Sequence, residues 1–186
     1  MPGGFFVGAN LFVVKTENRR GNSMKFETKH TFDKPAATVI KMFSDRNYFE
    51  RKYQGLGFTE IEVLEHEKSD SRFRIKVRYT AKSNAPVPEF AKKFLPSTMV
   101  ITQQDAWDLK TMTGHLDVEI KGAPVKVACD MKLKDEGKGA ANQLRWNVTC
   151  GIPLIGGKIE KITVDDINAK ESADIATTRK ILADYS

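Results

Sequence analysis

The chain has 186 residues, enough for one domain with a substantial core and short for two. Hydrophobic residues make up 40% and charged residues 29%, which excludes fibrous, collagen-like and grossly disordered classes. No apolar run approaches the ~20 residues of a membrane-spanning helix, and a net charge of +6, spread along the chain, is too modest to imply a nucleic-acid partner.

Residues 1–23, MPGGFFVGANLFVVKTENRRGNS, differ from the rest. An apolar stretch from Phe5 to Val14 precedes Arg19 and Arg20, whereas a signal peptide carries its positive charges first. The segment reads as a flexible, loosely attached extension, or as an over-long start ahead of Met24. The domain proper is expected over residues 24–186.

From Met24 the period is that of a strand, with alternation from Lys25 to Phe32. Asp33 is placed to cap a short helix over Ala36 to Phe43, and Pro35 suits its first turn. Asp45 begins a second short helix, which ends near Gly55-Leu56-Gly57. Six strands follow. Phe58 to Glu67 and Ser71 to Thr80 are joined by a hairpin at Lys68-Ser69-Asp70. In the second of these, Phe73, Ile75, Val77 and Tyr79 lie on one face, opposite Arg72, Arg74, Lys76 and Arg78. Thr98 to Trp107 and Thr111 to Ile120 come next. Val125 to Leu133 and Leu144 to Cys150 complete the set, each with alternate apolar positions facing inward. A helix from about Ile155 to about Ala183 ends the chain. Its apolar stripe thins between Val164 and Asp174. Seven strands linked mostly by short turns imply an antiparallel sheet. The fold class expected is α+β: a helix grip, in which a curved seven-stranded sheet wraps a long C-terminal helix.

This order of elements resembles the START-like superfamily, which includes birch-pollen-allergen-like proteins, lipid-transfer domains and polyketide cyclases. The stretches KHTFDKPAATVIKMFSDRNYFERKY, VPEFAKKFLP, QQDAW and GIPLIGGKIEKI are similar to a bacterial branch of it classed as a domain of unknown function. The resemblance implies an internal pocket for a hydrophobic small molecule or lipid. Residues expected to line it are Phe43, Phe73, Val77, Tyr79, Met99, Ile101, Trp107, Leu116, Trp146 and Ile162. Tyr79 and the two tryptophans would serve as polar handles.

The chemical motifs fail one by one. Gly151 to Lys158 has the look of a phosphate loop, but Gly157 intervenes before Lys158, Pro153 removes a backbone donor, and Ile159 stands where Ser or Thr is needed. The stretch reads instead as the corner where the last strand meets the long helix. His115, Asp117 and Glu119 share a strand face, expected outward, and no metal site is inferred. His30 has no partner in the sequence that would make it a general base. Glu160, Asp165 and Asp166 read as a solvated helix face. Cys129 and Cys150 read as buried free thiols of a reducing compartment, with a disulfide between neighbouring strands left open. The segment SNAPVPEFAKKFLP interrupts the meander. Its short helix, Glu89 to Leu95, would set Phe90 and Phe94 apart from Lys92 and Lys93, and it reads as a lid that touches ligand or membrane over residues 86–95.

The leading reading is therefore non-enzymatic binding of a hydrophobic small molecule or lipid by a cytoplasmic protein, through transport or sequestration, with no cofactor, metal or nucleic acid. Phe90 and Phe94 join the ten residues above as ligand contacts. A cyclase or hydratase on the same fold would need a titratable residue inside the pocket, and the inward rows supply almost none. An interaction module using the basic outer face is the third reading. The sequence does not set the oligomeric state.

Overall fold

A computed structural model describes residues 18–19, 23–82 and 87–186. The extension expected over residues 1–23 lies outside these apart from Asn18, Arg19 and Ser23, and so does Pro86 of the interrupting segment.

Strand β1 (Asn18–Arg19) is a two-residue pairing on the edge of β2 (Ser23–Phe32). Helices α1 (Ala36–Phe43) and α2 (Arg46–Gly55) follow. Next come β3 (Thr59–Lys68), β4 (Arg72–Lys82), α3 (Glu89–Lys92), β5 (Thr98–Asp108) and β6 (Thr113–Ile120). Then β7 (Val125–Glu136), β8 (Gly139–Cys150) and α4 (Gly156–Leu182) complete the chain. The sheet order is β1-β2-β8-β7-β6-β5-β4-β3, antiparallel throughout. The seven expected strands are β2 to β8.

Two helix starts show how local and distant residues share the work. Asp45 caps α2, its carboxylate accepting from the Asn47 N–H at 2.9 Å. Asp33 does not cap α1. That role falls to Asp135 at the end of β7, which accepts from the Ala36 N–H at 2.7 Å. Helix α1 is thereby tied to the sheet rather than closed by its own sequence.

The inner face of the sheet follows the strand period. Trp146, Cys129, Leu116, Asp105 and Ile75 are successive partners across β8, β7, β6, β5 and β4. Helix α4, 27 residues and ~40 Å long, lies across this face. Its two ends are the well-buried parts: Ile159 and Val164 at one, Ile175, Ile181 and Leu182 at the other. Each end joins a separate cluster of apolar side chains, and the polar middle of the helix spans the gap between them.

At the start of α4, Gly156 allows the close approach expected of it, since a Cβ there would lie 2.7 Å from the Cys150 carbonyl oxygen. Glu160 is buried, not solvated. Its Oε1 accepts from the Cys150 N–H at 2.9 Å and joins the helix to the end of β8. Gly114 has a different purpose. A Cβ at that position would meet the Trp107 ring at 2.7–2.9 Å, so glycine is what lets the indole lie across β6. Gly114→Val is expected to displace Trp107 and destabilise the domain by ~1–3 kcal/mol, measured by denaturant unfolding with Trp fluorescence.

Candidate functional site

Between the two apolar clusters, sheet and helix form a partly open cavity of about 380 Å³. That lies within the ~300–1,000 Å³ usual for small-molecule sites. The wall is built from α2, the inward rows of β4 to β8, the end of β2 and the middle of α4. Val87, Leu95 and Pro96, on either side of α3, complete it. Aromatic rings dominate. Phe43 stacks on Trp107 at 5.4 Å, Tyr53 on Tyr79 at 4.5 Å, and Tyr79 on Phe58 at 4.7 Å.

Eight of the twelve expected ligand contacts stand on this wall: Phe43, Tyr79, Met99, Ile101, Trp107, Leu116, Trp146 and Ile162. Four do not. Phe73 and Val77 are on the inward face of β4 but are sealed off. Phe73 is stacked under Phe49 at 5.7 Å, and both residues are almost wholly buried in packed core. Phe90 and Phe94 are displaced because α3 has only four residues and turns Ala91 and Leu95 inward instead. Phe90 is exposed, with the Lys158 ammonium over its ring, and Phe94 packs at the edge of the cluster around Ile159.

The wall also carries charge, which overturns the expectation that the inward rows hold almost no titratable group. Asp105 is 7% exposed and accepts from Gln103 Nε2 at 2.9 Å. The Gln103 side-chain oxygen in turn accepts from the Tyr79 hydroxyl at 3.1 Å. Burial pushes the Asp105 carboxyl up to about 6, against the opposing pull of the Gln103 hydrogen bond and the Lys52 charge. Lys52 reaches in from α2 and pairs with Asp174 of α4 at 2.8 Å. Burial works against its charge, but Asp174 and the neighbouring groups outweigh that and hold the ammonium firmly protonated. Burial likewise raises the phenols of Tyr48, Tyr53 and Tyr79. Tyr48 shares a hydrogen bond with Thr178 at 3.2 Å, whereas the Tyr53 hydroxyl is buried without a partner among the described residues.

Farther along α4, Glu171 meets His30 Nε2 at 2.9 Å, and Asp166 accepts from Lys170 at 2.6 Å. His30 thus has the partner that its own stretch of sequence lacked. Asp165 points away to Lys161, as the ~100° step between adjacent helical residues requires.

Two sequence signals point to these groups. The period that puts Met99, Ile101 and Trp107 inward on β5 also puts Gln103 and Asp105 there. The stretch of α4 where the apolar stripe thins is the part that faces the cavity, with Asp166, Lys170 and Asp174 at helical spacing.

The other motifs settle elsewhere. His115 is on the exposed face with Asp130 at 2.7 Å and Asp117 at 3.3 Å. Among the described residues, no group of three or more His, Cys, Asp or Glu side chains is arranged to hold a metal ion. The basic stripe of β4 is matched by acids of β3: Arg74 with Glu65 and Glu67, Lys76 with Glu65, and Arg78 with Glu62. Cys129 and Cys150 are buried and free, and burial raises the Cys129 thiol. No described helix is long and apolar enough to cross a membrane.

Residues 27–180 match the family described as "Protein of unknown function (DUF2505)", and the chain belongs to that family. No curated protein matches it significantly. Among solved structures it is similar to TTHA0849 from Thermus thermophilus, with a TM-score of 0.61 at 14% identity, over 86% of this chain and 97% of that one. For Ara h 8.0201 the TM-score is 0.60 at 16% identity, over 87% and 98%. For the ZhuI aromatase/cyclase from Streptomyces sp. R1128 it is 0.55 at 11% identity, over 87% and 94%. The fold these structures share with the chain is the helix grip, a curved antiparallel sheet against a long C-terminal helix.

A carboxyl raised from 3.8 to about 6 disfavours the folded state once it ionises. Well below pH 3.8 it is protonated folded and unfolded alike, and no penalty exists. The penalty grows as pH rises through that window and is complete above pH ~6, at roughly 3 kcal/mol. Asp105→Asn is therefore expected to stabilise the protein by about that amount at pH 8, with most of the gain gone near pH 4. Urea unfolding at the two pH values checks this.

Proposed function

We propose that the chain binds a hydrophobic small molecule or lipid in the cavity between the sheet and α4, without catalysis, for transport or sequestration. The observation that carries this reading is the cavity itself: about 380 Å³, walled largely by aromatic and aliphatic side chains. The polar middle of α4 supports it, since a helix serving only to fill the grip would present an apolar stripe along its whole length.

A second reading has a specific observation behind it. A cyclase- or hydratase-type enzyme needs a titratable group in the cavity, and Asp105, poised at about 6, is such a group. One relative by fold bears the name of an aromatase/cyclase. The two readings part on turnover: a binder returns its ligand chemically unchanged.

We also propose a passing contact with anionic membrane surfaces. Phe90 and Leu154 are exposed large apolar side chains, at 41% and 102%. Lys158 stands over the Phe90 ring, and Lys92 and Lys93 are exposed beside it. Apolar anchors rimmed by lysines suit an interface between lipid headgroups and acyl chains. A cytoplasmic location is proposed on the two buried free thiols.

The uptake test uses delipidated protein and a fluorescent apolar probe. Saturable binding at one site per chain is expected. Leu116→Trp, which pushes an indole into the cavity, should weaken uptake by at least about tenfold while a cooperative melt is kept. No uptake by the native chain would sink the reading. For the membrane contact, Phe90→Asp with Leu154→Asp is expected to abolish co-sedimentation with anionic vesicles and leave probe uptake intact. Unchanged sedimentation would count against it.

A further inference from the structure

We propose that the ligand carries a protonated amine, seated on the Asp105 carboxylate against the aromatic wall. This rests on the cavity-binding reading and names the chemistry of what is bound.

Charge on the cavity wall is unevenly matched. Three ionisable side chains lie together there: Lys52, Asp174 and Asp105. The Lys52 ammonium is engaged with Asp174 at 2.8 Å. Among the described residues, no Lys, Arg or His stands at ion-pair distance from Asp105, whose one hydrogen-bond donor is the neutral amide of Gln103. Two carboxylates thus share one ammonium. Farther along α4, Asp166 is paired with Lys170 and Glu171 is hydrogen-bonded to His30, and Lys82 is exposed at the rim. A buried carboxylate without a cation is costly, and a cation brought by the ligand removes that cost. Above pH ~6 the Asp105 carboxyl is ionised and available for such a pair.

The surroundings suit a cation as well. On β5, Asp105 lies between Gln103 and Trp107 on the inward face, with Leu116 and Ile75 beside it on the neighbouring strands. Trp107 and the stacked pair of Tyr53 and Tyr79 line the same space. The wall already holds one ammonium in this manner, since Lys52 Nζ sits 5.8 Å from the centre of the Tyr48 ring. An anionic head group meets the opposite conditions. It would face Asp105 and Asp174, while the nearby cation is taken. Fatty-acid anions are therefore disfavoured, and a neutral alcohol gains only a hydrogen bond.

The test titrates the full chain, followed by fluorescence of Trp107 and Trp146, with decylamine, decanol and decanoic acid at pH 7.5, all below their micellar range. The amine is expected to bind about tenfold or more tightly than the alcohol, with the acid weakest. Asp105→Asn should bring the amine down to the level of the alcohol and leave the alcohol within about twofold. Equal or tighter binding of alcohol or acid by the native chain overturns this inference and leaves the cavity reading standing, as does an amine preference that survives in Asp105→Asn. Failure of all three to bind overturns both.

Discussion

Strand β2 pairs along all ten of its residues with β8, the last strand of the sheet, while β3 lies at the opposite edge. The chain must therefore cross the full width of the sheet between its first and second long strands. Helices α1 and α2 make that crossing, and in doing so they close one end of the concave face. The remaining strands are a simple meander back to β8, which delivers the chain to the start of α4. The helix then returns across the same face. At its far end Tyr185 donates to Asp45, the residue that caps α2, at 2.7 Å. Sheet, crossing helices and terminal helix thus form one closed circuit of contacts.

That circuit explains why a cavity forms where it does. Helix α4 is anchored at both ends, by Gly156 and Glu160 against Cys150 and by Ile181 and Leu182 in the cluster beneath α1 and α2. The middle of the helix lines the cavity instead of packing on the sheet along its length. Side chains that face the open space there would gain little from an apolar stripe. Lys170, Glu171 and Asp174 tolerate the position because each finds a polar partner: Asp166, His30 and Lys52. The thin stripe and the cavity go together.

Much of this is legible in the sequence. The alternation in β4, the Asp45 cap and the glycines after α2 each encode their structure within a few residues. The cap of α1 is not legible in that way, because Asp135 is 99 residues away in sequence from the N–H it receives. The twelve expected contacts rest on apolar identity at inward positions. That criterion finds the aromatic wall but does not separate wall from packed core. Phe73 and Val77 share the inward face of β4 with Tyr79 but are buried away from the cavity, Phe73 under Phe49 of α2. The same criterion passes over Gln103 and Asp105, whose period is right and whose polarity argues against burial. Lys52 is beyond reach for another reason: its side chain leaves a helix that is polar on average, and its partner Asp174 lies on α4.

Asp105 makes the point about selection of side chains for something other than stability. An apolar residue in that row, like Leu116 or Ile75 beside it, would bury itself at a gain. The carboxylate does the reverse at neutral pH, helped by one amide hydrogen bond and by the attraction of the Lys52 charge. That help is partial, since Lys52 is paired with Asp174, which adds a like charge. Nor does it stabilise a turn, a cap or a strand end, for it stands in the middle of β5 with its backbone in the ladder. What remains is the space it faces. A group that lowers the stability of the free protein, and that an incoming partner can neutralise, couples binding to stability: occupancy by the right chemistry restores what the ionised side chain gives up. For the ligand proposed here, the cavity volume would set how large it can be, and the unmatched charge would decide which end of it goes in first.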